Sequence, residues 1–124
     1  MEPKKTVLII EDDRDMIDLL SIVLRRGGYR PVAALGGKEG LRLLREQPVD
    51  LVLLDLMMGD MNGWQVLEVI KADKSLSAIP VLIVSARHYL EDLQVDTHES
   101  LYEGYLVKPF VVRDLLTQIR EVLQ

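Results

Sequence analysis

The stretch that most limits what this chain can become is Leu51-Val52-Leu53-Leu54, four apolar residues that stop at the carboxylate of Asp55 and run into a loop holding Gly59. A continuous apolar run bounded by turn residues reads as a strand covered on both faces, because a half-exposed strand would alternate. The same pattern returns along the chain. Thr6-Val7-Leu8-Ile9-Ile10 stops at Glu11-Asp12-Asp13, Val81-Leu82-Ile83-Val84 stops at Ser85, and Tyr105-Leu106-Val107 stops at Lys108-Pro109. Tyr29 to Leu35 supplies a short second strand.

Between these runs, apolar residues recur at helical spacing. Met16, Ile17, Leu19, Leu20, Val23 and Leu24 mark a helix from Asp13 to Arg26, capped by Asp12 or Asp13 and terminated at Gly27-Gly28. Gly36-Gly37 opens a second helix to Glu46, and a third runs from about Trp64 to Ala72. Leu90, Leu93 and Val95 hint at a weak fourth helix within 86–103, and Val111 to Leu123 is a clear last one. The order is β-α five times over, which predicts an α/β fold: a parallel sheet with helices on both faces and right-handed crossovers.

The 124 residues predict one domain, 1–124, able to bury roughly two-thirds of its unfolded surface. Disulfides and thiolate zinc sites are excluded because the chain has no cysteine, which also fits a cytoplasmic protein. A net charge of −5 argues against direct nucleic-acid binding and leaves cation binding open. The apolar positions before Glu11 are too few for a signal peptide or a membrane span.

Four strands thus end in polar groups at one edge of the sheet: Glu11-Asp12, Asp55, Ser85 and Lys108. In open α/β sheets that edge is where ligands collect. Carboxylates meeting there repel, and burial raises their pKa values. A divalent cation removes both penalties, and Mg²⁺ favours one or two carboxylates with water and phosphate oxygens. Asp55 then reads as a nucleophile toward a phosphoryl donor, giving an aspartyl phosphate. Lys108 and Ser85 would stabilise the oxygens of the transferring group.

These residues resemble the CheY-like receiver domain of two-component response regulators. The matching segments are Leu8-Ile9-Ile10-Glu11-Asp12-Asp13, Asp50 to Met58 with Gly63, Ile83-Val84-Ser85-Ala86, and Tyr105-Leu106-Val107-Lys108-Pro109-Phe110. The resemblance implies a flavodoxin-like (βα)5 three-layer sandwich with strand order 2-1-3-4-5. It implies Asp55 as phosphoacceptor, with Asp12, Glu11, Asp55 and the Met57 backbone carbonyl around Mg²⁺, for which Mn²⁺ can substitute. Ser85 and Lys108 would grip the phosphoryl group, Tyr105 would be the aromatic that swings inward, and Pro109 a candidate for a cis bond.

The implied donor is a histidine kinase or a phosphotransfer protein. The implied output is a change in the surface of the fourth helix, fifth strand and fifth helix toward a downstream partner or a C-terminal effector domain, with a homodimer through that surface also allowed. No membrane partner is implied. Such a domain is not an enzyme, since it catalyses only its own phosphoryl transfer and slow autodephosphorylation. With Met57 and Arg87 two residues beyond the acceptor and the switch hydroxyl, the phosphoryl state is expected to be long-lived. The chain departs from the family at Gly59, where proline is usual, at Leu101-Tyr102-Glu103-Gly104, and in a slightly long Ser85–Lys108 spacing. The change at Gly59 implies a more mobile loop beside Asp55, and the other two bear on the output face rather than on the chemistry.

Other features have plainer readings. Asp13 is a helix cap, Asp60 and Asn62 are turn residues, His88 and His98 are solvated, and Trp64 is a packing residue. Gly36-Gly37-Lys38-Glu39 lacks the full phosphate-loop pattern and reads as helix entry. Acids between Glu91 and Glu103 read as an exposed face. Two other function classes stay open: a pseudo-receiver that binds partners without phosphorylation, and a Mg²⁺-dependent phosphohydrolase, which needs a second acid where Met57 stands.

Overall fold

The structure, a computed structural model, describes residues 3–86 and 98–124. Its elements are β1 (Thr6–Ile10), α1 (Arg14–Arg26), β2 (Arg30–Ala34), α2 (Gly37–Glu46), β3 (Leu51–Leu54), α3 (Gly63–Ala72), β4 (Val81–Ala86), a 3₁₀ turn (Glu99–Leu101), β5 (Gly104–Lys108) and a C-terminal helix (Val112–Leu123). All five strands are parallel, in the order β2-β1-β3-β4-β5. This is the flavodoxin-like arrangement expected above. The expected fourth helix, with Leu90, Leu93 and Val95, falls on residues outside those described, as do Arg87 and His88.

Side chains alternate across each strand, so the apolar runs feed two cores. Leu8, Ile10, Val52, Leu54 and Ile83 face one side and pack with Leu41 and Leu44 of α2 and Val66, Leu67 and Ile70 of α3. Val7, Ile9, Leu51, Leu53 and Val84 face the other and meet Ile17, Leu20 and Leu24 of α1 and Leu115 and Ile119 of the C-terminal helix. Every residue of β1 and β3 is buried. Continuous hydrophobicity in these strands therefore reports a sheet sandwiched between helices.

Local chemistry sets where the helices begin. Asp13, not Asp12, caps α1, its carboxylate accepting from the amides of Asp15 and Met16. That leaves Asp12 available to the sheet edge. Asn62, expected as a turn residue, caps α3 through a reciprocal pair with Gln65. Lys108–Pro109 is a cis bond. Among the described residues no helix is long and apolar enough to cross a membrane.

Candidate functional site

Parallel register brings the strand ends together. Ile10 pairs with Leu54, so Glu11 and Asp55 leave neighbouring strands at the same height. Leu54 pairs with Ile83, and Ala86 with Lys108, which carries Ser85 and Lys108 to that edge from the other side. The ladder continues one step past the strands: the Glu11 amide donates to Ala34 O and the Asp55 amide to Ile10 O, at 3.1 and 3.0 Å. Both acids are therefore fixed by backbone hydrogen bonds rather than carried on free loop.

Glu11, Asp55 and Ser85 are buried, with exposures of 2%, 7% and 0%, while Asp12 is exposed. The Ser85 hydroxyl donates to Asp55 Oδ1 at 2.9 Å, and the Met57 amide donates to the same oxygen at 3.2 Å. Lys108 Nζ lies 2.5 Å from Glu11 Oε1 and 3.7 Å from Asp55 Oδ2. Asp12 Oδ2 accepts from the Gly59 amide at 3.1 Å. One carboxylate oxygen from each of Glu11, Asp12 and Asp55 lies within 4.8 Å of the others.

Three acids thus meet one ammonium. Burial pushes the Glu11 carboxyl up to about 7, the Lys108 hydrogen bond pulls it back, and the neighbouring Asp55 carboxylate pushes it up again. Two buried acids and a third at the rim, sharing a single ammonium, form a donor set that a hard cation fits.

Residues 7–120 match the model of the response regulator receiver domain. The chain belongs to the response regulator receiver domain family. Among its relatives is the transcriptional regulatory protein AfsQ1 of Streptomyces coelicolor, 38% identical over 119 residues, which are 96% of this chain and 51% of AfsQ1. This receiver domain spans about half the length of the curated relatives it matches. Among solved structures, a CheY-like receiver domain protein from Methanospirillum hungatei is 31% identical with a TM-score of 0.86, covering 98% of this chain and 94% of that one. The response regulator TrrA of Thermotoga maritima, solved in complex with Mg²⁺-BeF, is 27% identical with a TM-score of 0.85, covering 96% and 99%. Its family makes this receiver domain a module of signalling switches, with an acidic cluster able to hold a metal ion.

The other residues singled out in the sequence are distributed less simply. Tyr105 pairs with Ile83 in the sheet, and its ring meets that of Tyr102 edge-on at 6.2 Å. Tyr102 in turn lies 6.1 Å from Trp64. His98 is not solvated: its ring stacks on Trp64 at 4.9 Å, its side chain is only 11% exposed, and its Nε2 lies 3.3 Å from Glu68 Oε2. The physical reason is that the fully buried Trp64 offers an aromatic face that the 98–102 segment covers. Trp64 packs in the core as expected.

Asp60 is more than a turn residue. Its two carboxylate oxygens accept from the Gly37 and Lys38 amides, both at 3.0 Å, so it caps α2 from another loop. A signal for this lay in Gly36-Gly37: a helix that opens on glycines supplies no side-chain cap, so an acceptor must come from elsewhere.

Proposed function

We propose that this receiver domain takes a phosphoryl group onto Asp55 from a histidine kinase or a phosphotransfer protein, in a reaction that requires Mg²⁺ or Mn²⁺. The observation that carries this reading is the meeting of Glu11, Asp12 and Asp55 with Ser85 and Lys108 in contact with Asp55. A carboxylate oxygen of Asp55 attacks phosphorus and forms the new O–P bond. The P–N bond to the donor imidazole breaks, its electron pair stays on nitrogen, and that nitrogen takes up a proton. Glu11, Asp12, Asp55 and the Met57 carbonyl would hold the metal. When bound, it supplies positive charge against the oxygens of the transferring group.

The chain's own residues do the rest. Lys108, already between Glu11 and Asp55, is available to the phosphoryl oxygens without a long movement. Ser85 donates to Asp55 Oδ1 before transfer and can exchange that acceptor for a phosphoryl oxygen afterwards. Because Ser85 and Tyr105 occupy adjacent paired strands, a shift of β4 at Ser85 is felt at Tyr105. The surface around β5 and the C-terminal helix then changes toward a downstream partner, an effector domain or a second copy of the chain. Similarity to a transcriptional regulator over half of its length supports an effector domain as the output, and the net charge of −5 argues against nucleic-acid contact by the receiver itself. Function in the cytoplasm fits this chemistry.

Incubation with acetyl phosphate and Mg²⁺ tests the proposal. The wild-type chain is expected to gain the mass of one phosphoryl group, and Asp55→Asn and the EDTA-treated wild type none. Equal labelling of Asp55→Asn overturns it.

A further inference from the structure

The loop from Leu56 to Asn62 brings the Met57 and Gly59 amides onto Asp55 and Asp12 of the acidic cluster. A Cβ at Gly59 would meet nothing nearer than Asp12 Oδ2 at 3.9 Å, so the loop is not held there by packing. It is held by Asp60. Oδ1 accepts from Gly37 N at 3.0 Å and from Met61 N at 2.8 Å, and Oδ2 accepts from Lys38 N at 3.0 Å. The carboxylate is an intramolecular anion on the α2 N-terminus, where amides and dipole both favour negative charge. These backbone hydrogen bonds, first that from Lys38, hold its carboxyl below the usual range.

A second observation comes from the helix side. Gly36 has φ −177° and ψ 176°, extended backbone that any residue adopts, so glycine is not required there for conformation. It is required for room: a Cβ at Gly36 would lie 2.7 Å from Asp60 Oδ1 and 2.8 Å from Oδ2. At Gly37 a Cβ would lie 2.9 Å from Met61 Cβ. The two glycines first read as a helix entry form a seat for the loop of the third strand, 23 residues further along the chain.

We infer that Asp60 is a positioning residue for the metal site, its carboxylate seated on Gly36, Gly37 and Lys38 so that the loop bearing Met57 and Gly59 is held against Asp12. Asp60 touches neither the metal nor the phosphoryl group. It restrains the loop between two other anchors, the Gly59 amide on Asp12 and the Asn62 cap of α3. Removing the middle anchor frees the segment after Gly59, so that the Met57 and Gly59 amides on Asp55 and Asp12 must hold the metal side of the loop without its support, which weakens binding. This rests on the reading of Glu11, Asp12, Asp55 and Met57 as the metal site.

The experiment is calorimetric titration of the full chain with Mg²⁺ alone, alongside urea denaturation in EDTA, for wild type, Asp60→Ala, Asp60→Asn, Gly36→Ala and the Asp60→Ala/Gly36→Ala double variant. Groups that orient metal ligands directly change affinity by about 10–100-fold, and Asp60 acts one step further out, so a loss of about three- to tenfold is expected for Asp60→Ala and for Gly36→Ala. Asp60→Asn, which keeps one acceptor oxygen, falls between wild type and Asp60→Ala. In the double variant the two losses do not multiply, because both act through one contact. An unchanged Mg²⁺ affinity in Asp60→Ala, even with a lowered urea midpoint, makes the residue a helix cap only and overturns the inference, as do multiplying losses. Should Asp60→Ala not fold, an unchanged affinity in Gly36→Ala overturns it. A wild type that binds no Mg²⁺ removes the metal-site reading and this inference with it, whereas a wild type that binds beside an unaffected Asp60→Ala removes the inference alone.

Discussion

Lys108 sits closer to Glu11 than to Asp55: its ammonium lies 2.5 Å from Glu11 Oε1 and 3.7 Å from Asp55 Oδ2. The ammonium thus compensates the most deeply buried acid of the site and stays one short movement from the acceptor. That arrangement leaves a charge imbalance whose consequences are measurable.

The first is a pH dependence. Burial foremost raises Glu11 from 4.5 to about 7. A carboxyl with a raised folded-state pKa contributes stability that is fully present below its unfolded value and is lost as pH rises through the folded one. Metal-free protein is therefore expected to lose up to about 3 kcal/mol from this group between pH 4.5 and pH 7. Urea midpoints in EDTA should fall across that window in the wild type and much less in Glu11→Gln, and saturating Mg²⁺ should flatten the wild-type curve. A Glu11→Gln profile parallel to wild type contradicts this.

Ser85→Ala separates chemistry from switching. The hydroxyl is fully buried and donates to Asp55, but the Met57 amide still serves Asp55 Oδ1 in its absence. The cost in stability is expected to be about 1 kcal/mol. Labelling of Asp55 should persist. If phosphorylation moves Tyr105, the contacts through Tyr102 should change Trp64 emission, and that change should shrink in Ser85→Ala. A full emission change in Ser85→Ala removes Ser85 from the relay.

Gly63→Ala tests the floor of the site. A Cβ there would lie 2.5 Å from the Asp55 carbonyl oxygen and 2.6 Å from Leu56 Cα, both backbone atoms that cannot turn aside. A loss of about 2–3 kcal/mol in urea denaturation is expected, together with slower labelling of Asp55, since the backbone of the acceptor itself must shift. Wild-type stability in this variant contradicts the packing described.

Under the proposed function, Met57 is expected to set the lifetime of the phosphoryl group. The residue is 48% exposed with its amide on Asp55, and its thioether side chain offers no hydrogen bond strong enough to orient an attacking water. The phosphoryl group should decay over minutes or longer, and Met57→Asn should shorten the decay by about tenfold. Loss of wild-type label within seconds contradicts the assignment.

Much of this architecture is legible before any coordinates. The buried runs at β1, β3 and β4 have no other economical reading than central strands, and parallel register then forces Glu11, Asp55 and Ser85 to one edge. Long-range pairings were not legible. Asp60 looks like any acid beside a glycine until α2 is laid next to it, and His98 carries no periodicity that would announce its stacking on Trp64. Asn62 was within reach, because Asn62-Gly63-Trp64-Gln65 has the spacing of a capping box. Its place after Asp60 and Met61 disguised it as turn.

The most direct measurement of the central claim locates the phosphoryl group. Protein labelled by acetyl phosphate with Mg²⁺ is reduced with borohydride, which converts an acyl phosphate to an alcohol, and the peptides are mapped by mass. Homoserine is expected in place of Asp55, with Asp12 and Glu11 intact and no conversion when EDTA is present. Conversion at Asp12, or the same yield without a divalent cation, would contradict the claim.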